Sequence, residues 1–354
     1  MTFTNAKILV VGGAGFVGSN LCNALLEHDP KEIIIVDNLL SSEISQVPDN
    51  TKITFILGSI TKDAILESLP NDINYVFHLA TYHGNQSSIH DPLADHENNT
   101  LTSLKLFDRI KSFTELNKVV YSSAGCTVAQ KTFDEATATT EEDNVSLFLD
   151  SPYQISKIIG ELYGNYYWHR YRLPFVKARF QNVYGPNEVL GAGQWRGTVH
   201  TVWRNVIPTF IFQALHHEAL PVDNNGIATR DFIFIDDIVK GLISCALEGT
   251  PGEIYNLASG QETSILELAQ SINNIVGNPT EIHFKSARDW DRSGKRYGDT
   301  EKAKSKINFK AEIDINQGLN KTIEWTLANL NIIKHSIAKH VHYTSGIKKY
   351  LEVT

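Results

Sequence analysis

A tyrosine and a lysine four residues apart are the clearest candidates for proton transfer in this chain. Tyr153 and Lys157 lie in the segment Ser151-Pro-Tyr-Gln-Ile-Ser-Lys, and residues four apart share one face of a helix. A neighbouring ammonium stabilises a phenolate and so lowers the pKa of the phenol. This spacing predicts that Tyr153 can act as a base near neutral pH. The pattern is common by chance, so its context decides its meaning.

A glycine-rich turn provides that context. The stretch that begins at Lys7 joins a short apolar run to Gly12, Gly15 and Gly18 at three-residue spacing. The first glycine permits a tight strand-to-helix turn, the second lets the backbone approach a pyrophosphate, and the third allows close helix–strand packing. Asp37 ends a second apolar run nineteen residues after the last glycine, where a carboxylate that binds ribose is expected. Because this carboxylate would repel a 2′-phosphate, the motif predicts an NAD site and not an NADP site.

Apolar runs that alternate with helical patterns place these residues at the edge of one sheet. The runs lie at residues 7–11, 33–36, 53–57, 75–79 and 118–122. This alternation is typical of an α/β fold with a doubly wound parallel sheet, in which ligands bind beyond the carboxyl ends of the strands. We therefore expect Asp37, Ser59, residues 79–81, Ser122 and Ser123 to border one crevice.

The composition indicates an ordinary globular protein, with 42% hydrophobic and 20% charged residues. A formal net charge of −8 provides no basic surface for nucleic acid, so we expect a small nucleotide as the ligand. The three cysteines, Cys22, Cys126 and Cys245, are widely separated, which favours a reducing compartment such as the cytoplasm. No apolar run is long enough to span a bilayer, and the N-terminus has no signal-peptide pattern. We expect neither membrane insertion nor secretion.

Together these motifs resemble the extended short-chain dehydrogenase/reductase superfamily. Further segments carry the same resemblance: His78-Leu-Ala80, Asn99, Arg179-Phe-Gln-Asn-Val-Tyr-Gly-Pro186 and Thr229-Arg-Asp-Phe-Ile-Phe-Ile-Asp236. The resemblance covers roughly residues 6–325. Within the superfamily the chain is most similar to the NAD-dependent nucleotide-sugar epimerases and dehydratases, and in particular to the UDP-glucose 4-epimerase-like enzymes, which act on nucleotide diphosphate hexoses.

The resemblance implies two sets of contact residues. For NAD, the matching positions are Gly12, Gly15, Phe16, Val17, Gly18, Asp37, Asn38, Ser59, Ile60, Leu79, Ala80, Thr81, Asn99, Tyr153 and Lys157. For a nucleotide sugar, they are Ser123, Cys126, Asn182, Asn205, Val206, Leu220, Val222, Arg230 and Arg288. Arg230 and Arg288 would hold the diphosphate, because a guanidinium makes paired hydrogen bonds to phosphate oxygens. The histidines lack metal-ligand spacing, so we expect no metal site.

The resemblance also implies an architecture. Residues 1–184 would form an NAD-binding Rossmann domain that shares later segments near 229–258. Residues 185–330 would form a smaller interleaved α/β region that binds the nucleotide sugar, followed by a C-terminal extension over 331–354, either a terminal helix or a frayed tail. Two helices, near Ala94–Phe113 and Tyr153–His169, would pair with a second copy in a homodimer.

The end of the fifth strand departs from the family pattern. Similar enzymes usually read Ser-Ser-Ser-Ala-x-Val-Tyr-Gly or Ser-Thr-Asp-Glu-Val-Tyr-Gly where this chain reads Ser122-Ser-Ala-Gly-Cys-Thr. An ungapped comparison puts Ala124 at the position of the catalytic hydroxyl, whereas one inserted residue makes Ser123 that hydroxyl. We predict Ser123, with Cys126 as a small packed thiol. Ser59 also departs from the usual aspartate, which leaves one adenine hydrogen bond without its usual acceptor.

These features predict reversible epimerisation of a nucleotide diphosphate hexose at C4 through a transient 4-keto sugar. Tyr153 would take the hydroxyl proton, Lys157 would lower the tyrosine pKa, and Ser123 would position the oxygen. Dehydration is disfavoured because Gly125-Cys126 replaces the Asp-Glu pair of the dehydratases. Three alternatives stay open. They are a 3,5-epimerase that uses Cys126 as an acid/base, a UDP-uronic acid decarboxylase, and a non-catalytic NAD-binding regulatory protein. For the first, the resemblance implies a distant lysine as the second acid/base, and Val206 stands at that position.

Overall fold

A computed structural model describes residues 2–128, 132–289, 291 and 294–351. Its strands are β1 (Lys7–Val11), β2 (Glu32–Asp37), β3 (Ile53–Leu57), β4 (Tyr75–His78), β5 (Lys118–Ala124), β6 (Phe175–Phe180), β7 (Asn182–Tyr184), β8 (Pro221–Asp223), β9 (Thr229–Arg230), β10 (Phe232–Phe234), β11 (Ile254–Leu257), β12 (Thr263–Ser264) and β13 (His283–Lys285). Its α-helices are α1 (Phe16–Leu26), α2 (Asp63–Ser68), α3 (Asn85–His90), α4 (Pro92–Asp95), α5 (Thr102–Ile110), α6 (Pro152–Tyr171), α7 (Val206–Leu215), α8 (Ile235–Leu247), α9 (Ile265–Val276), α10 (Glu301–Ile307), α11 (Ile315–Ala328) and α12 (Leu330–Ala338).

Seven parallel strands form the central sheet, in the order β11-β6-β5-β4-β1-β2-β3. The first five strands match the apolar runs of the sequence closely, which confirms the predicted doubly wound α/β fold. The strand order reverses at β1, which lies between β2 and β4. In sheets of this type the ligand crevice opens at such a reversal, beyond the carboxyl ends of the strands.

Alternating burial along β1 shows why helices cover both faces of the sheet. Ile8 and Val10 pack in one apolar cluster with Leu21 of α1. Leu9 packs in a second cluster with Phe107 of α5. Successive side chains of a strand point to opposite faces, so a strand that is apolar at every position requires a helical layer on each side.

After β7 the chain builds a smaller region from three two-stranded sheets, which pair β10 with β7, β12 with β9 and β13 with β8. This region is interleaved with the first, because β11 returns to the central sheet beside β6.

The described part of the C-terminal extension is helical. It consists of α12 and a 3-10 turn at Ser345–Tyr350. Tyr343 between them stacks on Trp195, with ring centres 4.8 Å apart and planes at 6°. Ile337 and Tyr350 pack in the same apolar cluster as Val202. The extension thus braces the loop that runs from Pro186 to Arg204. Within the described ranges, no helix combines the length and apolar character needed to cross a bilayer.

Candidate active site

The glycine-rich turn behaves as its spacing predicts. Gly12 adopts a φ of +85°, and a Cβ there would lie 2.5 Å from the backbone nitrogen of Ala80. A Cβ on Gly18 would lie 2.2 Å from the carbonyl oxygen of Gly12. Both positions therefore need glycine, one for the turn and one for the packing of α1. Gly15 lines an internal cavity, which leaves its backbone open to a ligand.

Asp37, at the end of β2, links this turn to the loop that follows β2. Its carboxylate accepts hydrogen bonds from the backbone nitrogens of Ala14 at 3.0 Å and Leu39 at 2.8 Å. It also accepts one from the hydroxyl of Ser42 at 2.9 Å. Burial raises the pKa of Asp37, while these hydrogen bonds act in the opposite direction. The carboxylate lines the cavity beside the turn, where an adenosine ribose of NAD fits the donor and acceptor groups.

The cavity has a volume of about 440 Å³ and opens along the carboxyl edge of the sheet. Most of the predicted contact residues line it: Gly12, Gly15, Phe16, Val17, Gly18, Asp37, Asn38, Ser59, Ile60, Leu79, Ala80, Thr81, Ser123, Cys126, Tyr153, Lys157, Asn182, Asn205, Val206, Arg230 and Arg288. The cofactor motif and the candidate catalytic residues therefore share one enclosed space.

Three predicted contact residues lie outside the cavity wall. The amide oxygen of Asn99 accepts hydrogen bonds from the backbone nitrogen of Tyr82 at 2.6 Å and from the hydroxyl of Thr81 at 3.1 Å. Asn99 thus supports the loop after β4 from behind. Leu220 and Val222 are fully buried in the apolar core. Val222 lies in β8 and Leu220 directly precedes that strand, and both side chains pack in the apolar core cluster.

Helix α6 presents the tyrosine and the lysine together. It begins after Ser151, whose hydroxyl caps the backbone nitrogen of Gln154, with Pro152 in the first turn. The Lys157 ammonium lies 5.8 Å from the centre of the Tyr153 ring. It also donates a hydrogen bond to the carbonyl of Ser122 at 2.9 Å. Burial lowers the pKa of Lys157 to about 8.

The pKa of Tyr153 shifts in the direction opposite to that predicted from the sequence. Burial in the cavity wall raises it well above its ordinary value, and the nearby Cys126 and Tyr121 add to the rise. Loss of hydration destabilises the phenolate by more than the Lys157 ammonium, 5.8 Å from the ring centre, stabilises it. In the chain alone, the tyrosine is therefore a protonated phenol.

Ser123 and Cys126 both line the cavity but differ in their partners. Ser123 is 2% exposed, and its hydroxyl donates to Glu161 Oε1 at 2.5 Å. Arg179 holds both oxygens of that carboxylate at 3.0 Å. Cys126 is half-buried in a short 3-10 turn, and its proximity to Tyr153 contributes to the raised pKa of the tyrosine.

Two of the cavity arginines are held by carboxylates. Arg230 donates to Asp291 Oδ2 at 3.3 Å and to the Gly294 carbonyl at 2.6 Å. Burial, together with the like charge of Arg296, lowers the pKa of Arg230 to about 9. Arg288 donates to Asp223 Oδ2 at 2.5 Å. Fixed guanidinium groups on one wall form a suitable site for a diphosphate.

Other polar residues of the cavity wall were not predicted as site residues. Glu188 accepts a short hydrogen bond from Asn205, whose oxygen lies 3.1 Å from His83 Nε2. Burial raises the pKa of Glu188 to about 7 and lowers that of His83 to about 4. Arg204 and Arg296 also line the cavity. Only Arg204 had a local signal, because it directly precedes the predicted Asn205.

Comparisons with known proteins agree with this geometry. The model of the NAD dependent epimerase/dehydratase family matches residues 8–258, and that of a family described as polysaccharide biosynthesis protein matches residues 196–324. The Bordetella bronchiseptica enzyme WbmF, solved in complex with NAD+, is 54% identical and superposes with a TM-score of 0.87 over 97% of this chain and 99% of that chain. In its complex with NAD+ and UDP it is 55% identical, with a TM-score of 0.87 over 97% and 98% of the two chains.

A more distant relative covers the chain almost as fully. The putative UDP-glucose 4-epimerase of Methanocaldococcus jannaschii is 29% identical over 324 residues, which span 91% of this chain and 99% of that protein. The glycine turn, Asp37 and the cavity wall match what an NAD site requires, and the family model covers more than half of the chain. This chain therefore belongs to the NAD dependent epimerase/dehydratase family, and its cofactor is NAD.

Proposed function

We propose that the protein catalyses reversible epimerisation of a nucleotide diphosphate hexose at C4, through a transient 4-keto sugar. The observation that carries this proposal is that Tyr153, Lys157 and Ser123 border the same cavity as Gly15 and Asp37. This juxtaposition supports Tyr153 as the group that exchanges the proton of a sugar hydroxyl beside the cofactor. The similarity to a solved UDP complex and to a putative UDP-glucose 4-epimerase supports a nucleotide sugar as substrate.

Different groups in the cavity have different roles in the proposed reaction. When bound, NAD+ supplies reversible hydride transfer, from C4 of one sugar epimer and back to the opposite face of the keto sugar. Tyr153 exchanges the proton of the C4 hydroxyl. Because burial raises the tyrosine pKa, its deprotonation needs positive charge nearby, and Lys157 supplies an ammonium 5.8 Å from the ring centre.

Ser123 positions the reacting oxygen in this proposal. Its hydroxyl proton is committed to Glu161 at 2.5 Å. A hydroxyl oxygen keeps two acceptor sites after it has donated its proton. Ser123 can therefore accept a hydrogen bond from the C4 hydroxyl or from the Tyr153 phenol, and so orient the proton that moves.

Product analysis in heavy water tests the proposed reaction. The protein is incubated with UDP-glucose, UDP-galactose, their 2-acetamido analogues and the corresponding uronic acids, and the products are read by NMR. We expect one pair of C4 epimers to interconvert without deuterium at C3, C4 or C5, because the hydride is returned internally. Absence of any C4 epimer, or deuterium at C3 or C5, would contradict C4 epimerisation.

Cys126 supports a second candidate, epimerisation at C3 and C5 of the 4-keto sugar. Its half-buried thiol lines the cavity, and its proximity contributes an upward shift to the pKa values of both Tyr153 and Lys157. A thiol in this place could exchange a proton with a carbon next to the keto group. In the same experiment, this candidate requires solvent deuterium at C3 or C5 of the product.

A homodimer is also proposed, on the basis of an apolar face on α6. Ile155, Leu162 and Tyr166 are 47%, 61% and 52% exposed. Their spacing of seven and four residues places them on one side of the helix. Leu93 of the adjacent α4 is 80% exposed. Such a face is suited to a two-fold contact with the same helix of a second copy.

We also propose a role for each region of the chain and a cellular compartment for the protein. Residues 1–184 with segments near 229–258 would hold the cofactor, residues 185–330 the nucleotide sugar, and the extension from 331 would brace the loop of Trp195. All three cysteines carry free thiols, in keeping with a reducing compartment such as the cytoplasm.

A further inference from the structure

The nucleotide-sugar end of the cavity carries more cationic groups than a diphosphate requires. Arg230, Arg288 and Arg296 all line it. The first two are each held by a carboxylate of the chain, Asp291 and Asp223 respectively. Two guanidinium groups are enough to bind a diphosphate in paired geometry. The third arginine therefore needs its own explanation.

Arg296 is buried without the partners that a buried arginine normally has. It is 8% exposed, and its Nε is inaccessible to solvent and has no hydrogen-bond partner within the described ranges. Residues 2–128, 132–289, 291 and 294–351 supply no carboxylate that forms an ion pair with it. An unpaired buried charge is costly. It is tolerated where a ligand completes the pair.

The backbone around Arg296 is fixed. Its own nitrogen donates to Thr229 Oγ1 at 3.1 Å. The nitrogens of Lys295 and Asp299 donate to the carbonyls of Thr132 at 2.7 Å and Thr139 at 2.8 Å. The backbone that carries the guanidinium is thus held in place, as the supports of preorganised sites are.

The segment that follows Arg296 lies close to the strand end that carries Cys126. The Gln181 amide lies between Gly298 and Gly125, where a Cβ on either glycine would come within 2.9 Å and 2.2 Å of its Nε2. Gly125 directly precedes Cys126, which acts on the pKa of Tyr153. Arg288 lies beside Asp223, and its charge lowers the pKa of His200. Arg288 and Arg296 both lower the pKa of Arg230.

We infer that Arg296 binds a carboxylate on the sugar, so that the substrates are nucleotide diphosphate hexuronic acids and not neutral hexoses. This inference rests on the proposed function, because it names the substrate class of the same site. A carboxylate at C6 supplies two coplanar oxygens, which match the two parallel N–H groups of a guanidinium. Arg230 and Arg288 then remain for the diphosphate.

Binding to the NAD-loaded full-length chain tests the inference. Isothermal titration calorimetry is run with UDP, UDP-glucose and UDP-glucuronic acid on the wild type, Arg296→Gln and Arg288→Gln. We expect the wild type to bind UDP-glucuronic acid at least about tenfold more tightly than UDP-glucose, as a charged hydrogen-bonded pair provides. Arg296→Gln removes this preference and leaves the Kd values for UDP and UDP-glucose within about threefold, which also shows that the variant is folded.

Arg288→Gln is the matched control. We expect it to raise the Kd values for all three ligands by a similar factor. Arg296→Lys keeps the charge without the paired geometry, so it restores part of the preference. The inference is overturned if the wild type shows no preference, or if Arg296→Gln weakens all three ligands equally, which would make Arg296 a diphosphate contact. Selective binding of UDP-glucuronic acid without any C4 epimer by NMR would instead refute the proposed reaction and leave the role of Arg296 intact.

Discussion

The Lys157 ammonium donates a hydrogen bond of 2.9 Å to the backbone carbonyl of Ser122, at the end of β5. This contact joins the helix that carries Tyr153 to the strand end that carries Ser123. Burial lowers the lysine pKa from 10.5 to about 8. One side chain thus links the two elements of the candidate catalytic group and brings an ammonium beside the Tyr153 ring.

We expect replacement of Lys157 to lower activity without lowering stability at pH 7. Between pH 8 and 10.5 the folded chain binds fewer protons at this lysine than the unfolded chain, so stability rises with pH in that window. We expect Lys157→Met to lose this rise and to be at least as stable as the wild type at pH 7, with turnover reduced roughly a hundredfold or more. Thermal unfolding of the NAD-free protein at pH 7 and 10 measures the first effect. An unchanged pH dependence of the melting temperature would contradict it.

Tyr153→Phe removes the phenol and leaves the ring. Because the hydroxyl is proposed to exchange the C4 proton, turnover should fall by roughly a hundredfold to ten-thousandfold. The nicotinamide content of the purified variant, assayed after denaturation, should match that of the wild type. Equal turnover in variant and wild type would dismiss the catalytic role.

Ser123→Ala and Cys126→Ser distinguish the two candidate acid/base arrangements. Loss of the serine should lower turnover by roughly tenfold to a thousandfold with little change in nucleotide-sugar binding, because the contact acts chiefly in the transition state. It also leaves Glu161 with one fewer donor, at a cost of about 1–3 kcal/mol of stability. Cys126→Ser should stay close to the wild type. If Cys126→Ser abolishes product formation, the thiol is the acid/base and 3,5-epimerisation replaces the C4 reaction.

Glu188 should make stability depend on pH in the acidic range. Burial raises its pKa from 4.5 to about 7. Between these values the folded chain binds more protons than the unfolded chain, so the contribution of Glu188 to stability falls as pH rises and levels off above pH 7. Glu188→Gln removes this contribution. Between pH 5 and pH 8, the free energy of unfolding in urea should fall less in the variant than in the wild type. An identical change with pH in the two proteins would refute the assignment.

Leu162→Glu tests the proposed dimer. The side chain is 61% exposed on α6, so a carboxylate there should leave the monomer folded and prevent the apolar contact between copies. Light scattering at micromolar concentration should give a dimer for the wild type and a monomer for the variant. Leu327→Glu, at a 51% exposed leucine of α11, is the control and should remain dimeric. A wild type that is monomeric at all concentrations would rule out the dimer.

Features that depend on short stretches of chain could be predicted from the residues alone. The spacing of Gly12, Gly15 and Gly18 dictates a turn and a helix start, and a lysine four residues after Tyr153 must share its helix face. The apolar runs that became β1 to β5 report burial on both sides of a strand. Each of these is a local property of backbone geometry, so it can be predicted without the rest of the fold.

Which side chains face the cavity, and how their pKa values shift, depends on contacts between distant parts of the chain. Arg296 approaches Arg230 across 65 intervening residues, and neither has a motif that predicts the meeting. Leu220 turned out to pack in the core, because its orientation depends on the partner strand and not on its neighbours in sequence. The pKa of Tyr153 depends on how completely the cavity excludes water, and desolvation outweighs the helix-neighbour effect of Lys157. Long-range packing sets both the orientation and the pKa of these side chains, and it cannot be predicted from spacing along the chain.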